Sequence, residues 1–317
     1  MVTIGDIWQA KKRIAPIVKK TPLLKSQPLS KTGGEVYLKL EQTHDIGAFK
    51  VRGAANKILS LPPEKRERGV TTFSTGNHGL AVSFIAERLG IEARICVSRR
   101  VPKAKTGAIE RFGGTLEIYG DSQDEAARRC WELKEQHGME IIQPFDDPHV
   151  IAGQGTIGLE LLEDAPELDS VIVPLSGGGL ISGIALALKK NLPDVKVIGL
   201  SVERSAAMVE SLKAGRPVEV KEHDTLADSL LGGIGPNNRY TFDMTRQYVD
   251  ETILVNEKAI ADGMSFLFRE HRMVVEGAAA IGVGALLNGM VSSSGRKTAV
   301  ILTGNNTDLS AFLNIVQ

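Results

Sequence analysis

Cysteine is scarce in this chain of 317 residues, and neither an excess of one charge nor a long apolar run occurs in it. The two cysteines, Cys96 and Cys130, share no metal-ligand spacing, so a disulfide framework is not expected and a reducing compartment is. Because 38 basic side chains balance 38 acidic ones, no bulk charge attracts nucleic acid or an anionic membrane. The amphipathic N-terminus has no signal-peptide core, and no membrane span is predicted. We therefore expect a cytoplasmic protein that binds small molecules or copies of itself.

Short apolar runs alternate along the chain with amphipathic segments. The β-branched runs predict strands, and they are EVYLKL, GVTTFS, ARICVS, TLEIYG, SVIVPL, VKVIGLSV, ETILVN and TAVILT. Helical patterns lie between them, most clearly at residues 79–90, 123–138, 180–193 and 257–271. Such alternation is typical of α/β proteins with parallel sheets covered on both faces. The number of runs is high for one sheet, so we predict two α/β domains.

Glycine-rich segments follow three of the predicted strands. FSTGNHG and PLSGGGLISG each lie between a strand and a helix, and LTGNN ends the last strand. Because ligands bind at the carboxyl ends of parallel strands, these three segments are predicted to converge on one ligand. Glycines and a helix N-terminus would suit a phosphate in SGGGL, although a tight turn with positive φ explains the glycines equally well.

Other functions are considered for the same glycine-rich segments. SGGGL lacks the lysine of a nucleotide P-loop and the spacing of a dinucleotide fingerprint, so an oxidoreductase remains only an alternative. In STGNH, backbone donors at a helix N-terminus would suit a carboxylate. Ser74 or Thr75 could instead simply cap the helix. A lone histidine such as His78 is more often a cap or core residue than a catalyst.

The stretch GAFKVRGA, residues 47–54, contains a lysine in an unusual setting. Lys50 directly follows Ala48 and Phe49, and Arg52 lies two residues further on. Partial desolvation and a nearby like charge would both lower the pKa of Lys50. Such a lysine is a candidate nucleophile or Schiff base former, although an ordinary solvated lysine is the simpler interpretation. An imine-forming lysine, a phosphate cradle and a carboxylate cradle are what an amino acid joined to pyridoxal phosphate requires.

Six motifs together resemble one enzyme family. They occur in the order and approximate spacing of the threonine dehydratase and serine racemase family of fold type II pyridoxal-phosphate enzymes, and they are GAFKVRGA, STGNHG, IAGQGTIGLE, SGGGLISG, EGAAAIGVGALL and TGNNTDL. The resemblance covers nearly the whole chain. It implies a tryptophan synthase β-like α/β fold of two domains with mainly parallel sheets, pyridoxal 5'-phosphate in the interdomain cleft, and a homodimer. We expect a large domain of residues 1–52 and 146–317, and a small substrate-loop domain of residues 53–145.

The resemblance also implies roles for individual residues. Lys50 would hold the cofactor as a Schiff base and then act as the base at the substrate Cα. Phe49 would pack on the pyridine ring, and Asn77 would donate to its phenolic oxygen. Thr303 would place a hydroxyl against the pyridine nitrogen. Glu276 matches the acidic residue of a Glu-Pro-Ser-like motif and is assigned to the cofactor.

Two loops complete the site that the resemblance implies. The phosphate would be wrapped by Ser176, Gly177, Gly178, Gly179 and Leu180. The substrate carboxylate would be held by Ser74, Thr75, Gly76, Asn77 and His78. Thr75 is also assigned a catalytic role, because a serine racemase has a second serine at this place.

The hydroxyl of Thr303 constrains the predicted reaction. Unlike a carboxylate, a hydroxyl does not stabilise a protonated pyridinium, so the ring is a weaker electron sink. Expulsion of a β-hydroxyl is then favoured, and the expected activity is that of a dehydratase, an ammonia-lyase acting on a 3-hydroxy amino acid such as L-threonine or L-serine. The products are a 2-oxo acid and ammonia. Serine racemase-like activity and a non-catalytic cofactor carrier remain alternatives, although STGNH favours an enzyme.

Two departures from the family pattern affect substrate and metal. Glu203 fits the first ligand of the family's cation site, but Val209 stands in place of the second, so no metal is predicted and chelators should not change activity. The segment at residues 227–242, with Asp228, Ser229 and the run 232–236, resembles the dehydratase encoded with hydroxyectoine degradation. A hydroxylated diamino acid is therefore the alternative substrate.

Overall fold

The computed structural model describes residues 1–30, 33–101 and 103–317, and it does not describe the side chains of residues 103–105 and 123–124. It has the predicted α/β architecture with mainly parallel sheets. The strands in the described residues are β1 Leu23–Lys25, β2 Glu35–Leu40, β3 Val70–Thr72, β4 Ala93–Val97, β5 Thr115–Ile118, β6 Glu140–Ile141, β7 Ser170–Pro174, β8 Lys196–Val202, β9 Glu251–Val255 and β10 Lys297–Leu302.

Helices separate most of these strands. Their bounds are α1 Ile4–Ile14, α2 Lys50–Ser60, α3 Pro63–Glu67, α4 Asn77–Arg88, α5 Lys103–Arg111, α6 Gln123–His137, α7 Pro148–Asp164, α8 Gly179–Lys189, α9 Ala207–Ala214, α10 Thr241–Tyr248, α11 Glu257–His271, α12 Gly277–Leu287 and α13 Leu309–Val316. Capping residues begin several of them, and Asp147 accepts hydrogen bonds from two backbone amides of α7. No helix within the described residues is long and apolar enough to cross a membrane.

The larger sheet has six strands in the order β1-β2-β10-β7-β8-β9. All neighbours are parallel except β1, which pairs antiparallel with β2. Successive residues of its central strands alternate between two cores: Ile172 packs on the side of α11 and α12, whereas Val171 and Val173 pack on the side of α8. Helices therefore cover both faces, which is why these strands read as continuous apolar runs.

The smaller sheet has four parallel strands in the order β5-β4-β3-β6. Apolar residues of α2 and α4 pack on one of its faces with Val70 and Ile95, and Cys96, Cys130 and Leu133 belong to a separate core cluster on α6, β4 and β6. Both cysteines are reduced and buried. The strands divide between the two sheets as the predicted domains require, and the domain boundaries at residues 52 and 146 stay a prediction.

The order of strands brings the glycine-rich segments to the carboxyl ends of the strands in the two sheets. β7 and β10 are parallel neighbours, so the segments that follow them, at residues 175–178 and 303–306, lie side by side. The segment at residues 73–76 follows β3 at the same end of the smaller sheet. The three segments thus leave the carboxyl ends of their strands, as predicted.

Candidate active site

Lys50 is the first residue of α2 and lies at the meeting point of several distant segments. Its Nζ atom donates to the carbonyl oxygen of Pro144 over 2.7 Å and lies 5.4 Å from the ring centroid of Phe49. Burial lowers the pKa of Lys50 to about 8, from an ordinary value of 10.5. Desolvation alone causes this shift, and a nearby cation is not needed. At neutral pH a much larger fraction of this amine is therefore neutral and nucleophilic than for a surface lysine.

Arg52, the cation expected to lower the pKa of Lys50, instead forms a buried ionic network. Its guanidinium donates to Glu41 over 2.7 Å and to Glu160 over 2.6 Å, and Lys39 pairs with Glu160 over 2.6 Å. Burial, the largest single effect, acts to raise the pKa of Glu41, but the charges of Arg52 and His44 and their hydrogen bonds together outweigh it and hold that pKa well below the ordinary value. The network ties the start of α2 to the end of β2 and to α7.

Thr303 is fixed beside the lysine by backbone pairing. The Phe49 amide donates to the Thr303 carbonyl over 3.1 Å, and Ala48 forms an antiparallel bridge with Gly304. Thr303 itself is buried. The chain before Lys50 and the chain after β10 therefore form one rigid wall of the site.

The segment SGGGL turns sharply into α8. Gly178 has φ +86°, a conformation that side chains rarely adopt, and it is the residue before the helix. A Cβ at Gly177 would lie 2.5 Å from the ring of Phe145, so close packing also requires glycine there. The tight turn and the phosphate site, the two interpretations of this segment, are compatible with each other. The turn is present, and no described side chain caps α8. Its uncapped N-terminus, next to the partly buried Ser176, suits a phosphate.

The substrate loop, residues 74–78, leads from β3 into α4. The residue that precedes α4 is Gly76, and no described side chain caps the helix, so the alternative that Ser74 or Thr75 is a cap is wrong. Both are partly buried and Gly76 is exposed, which leaves this turn open to a ligand. Its backbone amides at the helix N-terminus are suited to a carboxylate.

His78 is buried behind this turn. Its Nε2 atom donates to the carbonyl of Ile142 over 2.9 Å, which leaves Nδ1 as an acceptor without a partner among the described residues. Burial first and the charge of Lys50 second lower the pKa of His78 to about 3. His78 is therefore a neutral core histidine, and its side chain does not supply a positive charge to the site.

Asn77 and Glu276 contact each other across the cleft. The Asn77 amide donates to the carboxylate over 2.8 Å and accepts from the side chain of Asn306 over 2.7 Å. Ser229 also donates to Glu276, over 3.3 Å. Burial raises the pKa of Glu276, with the charge of Asp228 adding to it, against hydrogen bonds that lower it.

The structure brings most of the predicted site residues together. Lys50, Phe49 and Thr303 share one wall, Asn77 and Glu276 lie in contact, and the glycine segment reaches Lys50 through the adjacent pair Pro144 and Phe145. Sequence reasoning missed four residues, namely Pro144, Phe145, Ser229 as a partner of Glu276, and Asn306. Asn306 lay within a motif already singled out, TGNNTDL, and Ser229 lay within the segment at residues 227–242, whereas no motif contained Pro144 or Phe145.

The family's cation site, of which the sequence matches only Glu203, is not assembled from the residues that the structure describes. No group of three or more His, Cys, Asp or Glu side chains placed to hold a metal ion occurs among them. Val209 is 4% exposed and packs in the core beneath α9, whereas Glu203 is exposed. Insensitivity to chelators stays a prediction.

These features fit pyridoxal phosphate, since a lysine with a lowered pKa and an uncapped glycine turn at a helix N-terminus lie against the adjacent residues Pro144 and Phe145. The family model for pyridoxal-phosphate dependent enzymes matches residues 14–304. This chain belongs to that family. The pyridoxal-phosphate dependent enzyme thus has the fold and the cofactor that the sequence resemblance implied, and an oxidoreductase finds no support.

Relatives and solved structures of this pyridoxal-phosphate dependent enzyme agree with the assignment. An L-threonine ammonia-lyase of Thermotoga maritima is 42% identical, with all of this chain and 79% of the relative covered. A catabolic L-threonine dehydratase of Staphylococcus aureus is 38% identical, with all of this chain and 92% of the relative covered. The structure of maize serine racemase matches with a TM-score of 0.93 and 35% identity, covering 99% of this chain and 96% of that one.

Proposed function

We propose that this chain is a pyridoxal-phosphate dependent dehydratase, an ammonia-lyase of 3-hydroxy amino acids such as L-threonine or L-serine. It removes the β-hydroxyl as water and yields a 2-oxo acid and ammonia. The observation that carries the proposal is the backbone pairing of the Phe49 amide with the Thr303 carbonyl, which places a hydroxyl residue against the segment that carries Lys50. Relatives of 38% to 42% identity whose names state threonine dehydratase or ammonia-lyase activity support it.

Lys50 has two parts in the proposed reaction. It would hold the cofactor covalently, and its amine, when free, would take the proton from the substrate Cα. The bound cofactor supplies an electron sink for the pair left by that proton. The carbonyl of Pro144, 2.7 Å from Nζ, orients the amine by accepting a hydrogen bond from it. A pKa of about 8 lets the same amine give up and take back a proton near neutral pH.

The other residues bind and orient. We assign Phe49 to packing against the cofactor ring and the Thr303 hydroxyl to its pyridine nitrogen. The phosphate is held by the turn of Ser176, Gly177, Gly178, Gly179 and Leu180. The substrate carboxylate is held by the turn of Ser74, Thr75, Gly76, Asn77 and His78. We assign the Thr75 hydroxyl to the face of the substrate opposite Lys50, where a serine racemase-like side activity would use it.

The proposed elimination breaks the Cα–H and Cβ–O bonds of the substrate. The Cα–H bond would break toward Lys50, and the Cβ–O bond would break as the hydroxyl leaves with a proton as water, so that the proton gained by Lys50 balances the one lost with the hydroxyl. The enamine that remains would take a proton from water at Cβ and lose one from nitrogen to become an imine, which water would hydrolyse to the 2-oxo acid and ammonia. Closure of the small domain over the cleft would exclude solvent from the reacting Cα. The division into domains at residues 52 and 146, the cytoplasmic location and the homodimer remain predictions.

The test is release of 2-oxo acid and ammonia by the purified enzyme with L-threonine, L-serine, their D-forms, 3-hydroxyaspartate and a hydroxylated diamino acid. Turnover of L-threonine or L-serine is the expected result. Turnover of the diamino acid alone would favour the alternative substrate suggested by residues 227–242. A bound cofactor whose absorption no amino acid alters would contradict the proposal and favour a carrier.

A further inference from the structure

Glu276 immediately precedes α12 but its carboxylate does not cap that helix. The side chain turns into the cleft, where it is 5% exposed. Oε1 accepts from the Asn77 side chain over 2.8 Å and from the Asn306 backbone amide over 2.9 Å, and Oε2 accepts from the Asn77 side chain over 3.2 Å and from the Ser229 hydroxyl over 3.3 Å. Three separate segments of the chain thus converge on one carboxylate.

Every group that contacts this carboxylate is a hydrogen-bond donor. Donation from two nitrogens and a hydroxyl matches an ionised carboxylate, which only accepts. Hydrogen bonds to a charged group are the stronger class, and burial strengthens them further. The charge of Glu276 is therefore used for holding its neighbours together, and the described contacts leave each oxygen with two donors.

The Glu276 carboxylate also fixes the orientation of the side-chain amide of Asn77. Because its Nδ2 atom points at Glu276, its Oδ1 atom faces Asn306, which donates to it over 2.7 Å and to the carbonyl of Ile46 over 2.8 Å. A flipped amide would place donor against donor and lone pair against carboxylate. Asn77 begins α4 and lies within the substrate loop, so its orientation affects the part of the loop proposed to bind the substrate carboxylate.

Ser229 links a second loop to the same point. It lies in a short 3-10 turn, Asp228–Leu230, and the following segment contains Gly232 with φ +108° and Gly235 with φ +78°. Neither glycine has an atom within 4 Å of where a Cβ would lie, so the backbone is open at these two positions, although Ile234 between them is buried in the core. The hydroxyl of Ser229 on Glu276 is therefore a contact by which the loop is held toward the cleft.

We propose that Glu276 is a positioning residue whose carboxylate ties the substrate loop, through Asn77, to the loop that begins at Ser229, and so sets the affinity for the amino acid substrate. It acts through these two neighbours and not through the reacting atoms, which differs from the cofactor contact expected from the sequence. The inference rests on the proposed function, because the substrate loop is the one assigned to the substrate carboxylate.

Graded substitutions test the inference. In Glu276→Gln, one oxygen still accepts from Asn77 and Asn306 while the new amide donates to Ser229, so we expect KM to rise about three- to tenfold with a smaller change in kcat. Glu276→Ala removes every contact, and we expect KM to rise about 10- to 100-fold, again more than kcat falls. The exposed Glu222→Gln is the matched control and should change neither.

Ser229→Ala tests the contact of Glu276 with Ser229 separately from its contact with Asn77. It should raise KM less than Glu276→Ala, and the double variant should be no worse than Glu276→Ala alone, since both changes remove the same contact. If Glu276→Ala fails to fold, Glu276→Gln and Ser229→Ala still test whether Glu276 is a positioning residue. A fall in kcat of more than about 100-fold in Glu276→Gln, with KM unchanged, would identify a proton-transfer role and overturn the inference.

A second measurement does not depend on turnover. Hydrogen exchange of the holoenzyme should become faster at residues 73–80 and 227–236 together in Glu276→Ala, and much less so in Glu276→Gln. Unchanged exchange in both segments of Glu276→Ala would overturn the inference. If the wild-type enzyme converts no 3-hydroxy amino acid while this exchange pattern appears, the proposed function fails and the tie between the loops stands.

Discussion

The backbone amide of Phe49 donates to the carbonyl of Thr303 over 3.1 Å, although 254 positions separate the two residues in the sequence (303 minus 49). With the neighbouring bridge between Ala48 and Gly304, this bond holds the start of α2 against the end of β10. Lys50 is the next residue. The lysine is thus placed by backbone contacts on its N-terminal side, and its side chain can be changed without removing what positions the chain.

Replacement of Lys50 by alanine should abolish cofactor attachment and turnover while leaving the fold intact. The site loses its only assigned covalent anchor and its base, so we expect turnover to fall at least about 1,000-fold. The visible absorption band of the bound cofactor, read beside far-ultraviolet circular dichroism, is the measurement. The exposed Lys12→Ala is the control and should keep both band and turnover. An unchanged band in Lys50→Ala would contradict the assignment.

Covalent attachment of pyridoxal phosphate to the cofactor-free enzyme should depend on a group with a pKa near 8. Burial lowers the pKa of Lys50 to about 8, and only the neutral amine attacks an aldehyde. The rate should therefore rise with pH up to about 8 and level off above it, and it should fall about tenfold per pH unit below. Stopped-flow absorbance across pH 6 to about 11 measures this. A rate still rising toward pH 10.5 would mean that the amine is solvated.

Much of the fold follows from local pattern. Each of the eight predicted apolar runs forms a strand, because burial on both faces of a parallel sheet demands continuous apolar residues. The strands β1 and β6 were not predicted. They have three and two residues, and each is a strand only because a partner strand lies beside it, which short sequence patterns do not encode.

The candidate site likewise contains residues that the sequence could predict and residues that it could not. Lys50, Asn77 and Thr303 lie in motifs whose residue types carry chemistry of their own. Pro144 and Phe145 do not, and their roles arise only because the chain folds back 94 positions to bring the Pro144 carbonyl to Lys50. The role of Arg52 was misread for a related reason, since its partners Glu41 and Glu160 are distant in sequence.

Substitution of Gly178 by alanine should weaken binding of pyridoxal phosphate. The residue has φ +86°, and an added Cβ would lie 2.8 Å from the terminal methyl of Met208 and 3.0 Å from the hydroxyl of Thr245. Strain of about 1–3 kcal/mol would shift the turn that we assign to the phosphate, so we expect a rise in Kd of about tenfold or more. Titration of the cofactor-free enzyme by visible absorbance measures it.

Gly215 provides the control for this substitution. It has φ +70° at the end of α9, and nothing lies within 4 Å of where its Cβ would be. Gly215→Ala carries a similar backbone strain away from the cleft, so it should lower stability slightly and leave the cofactor affinity unchanged. Equal losses of affinity in both variants would mean that general destabilisation, and not the phosphate turn, is responsible.

Loss of the Arg52 charge should destabilise the protein more than loss of a surface ion pair. Arg52 is 1% exposed, and its guanidinium bonds to Glu41, Glu160, Thr156 and Thr21, so Arg52→Met leaves two buried carboxylates with less compensation. We expect a loss of about 3–5 kcal/mol in the free energy of unfolding. Arg88→Met removes the exposed pair with Asp45 and should cost under about 1 kcal/mol. Urea denaturation followed by fluorescence compares the two variants, and equal midpoints would show that the buried network contributes no more than the exposed pair.

Because the same network anchors α2 just after Lys50, Arg52→Met should also lower cofactor occupancy in parallel with stability, whereas Arg88→Met should not.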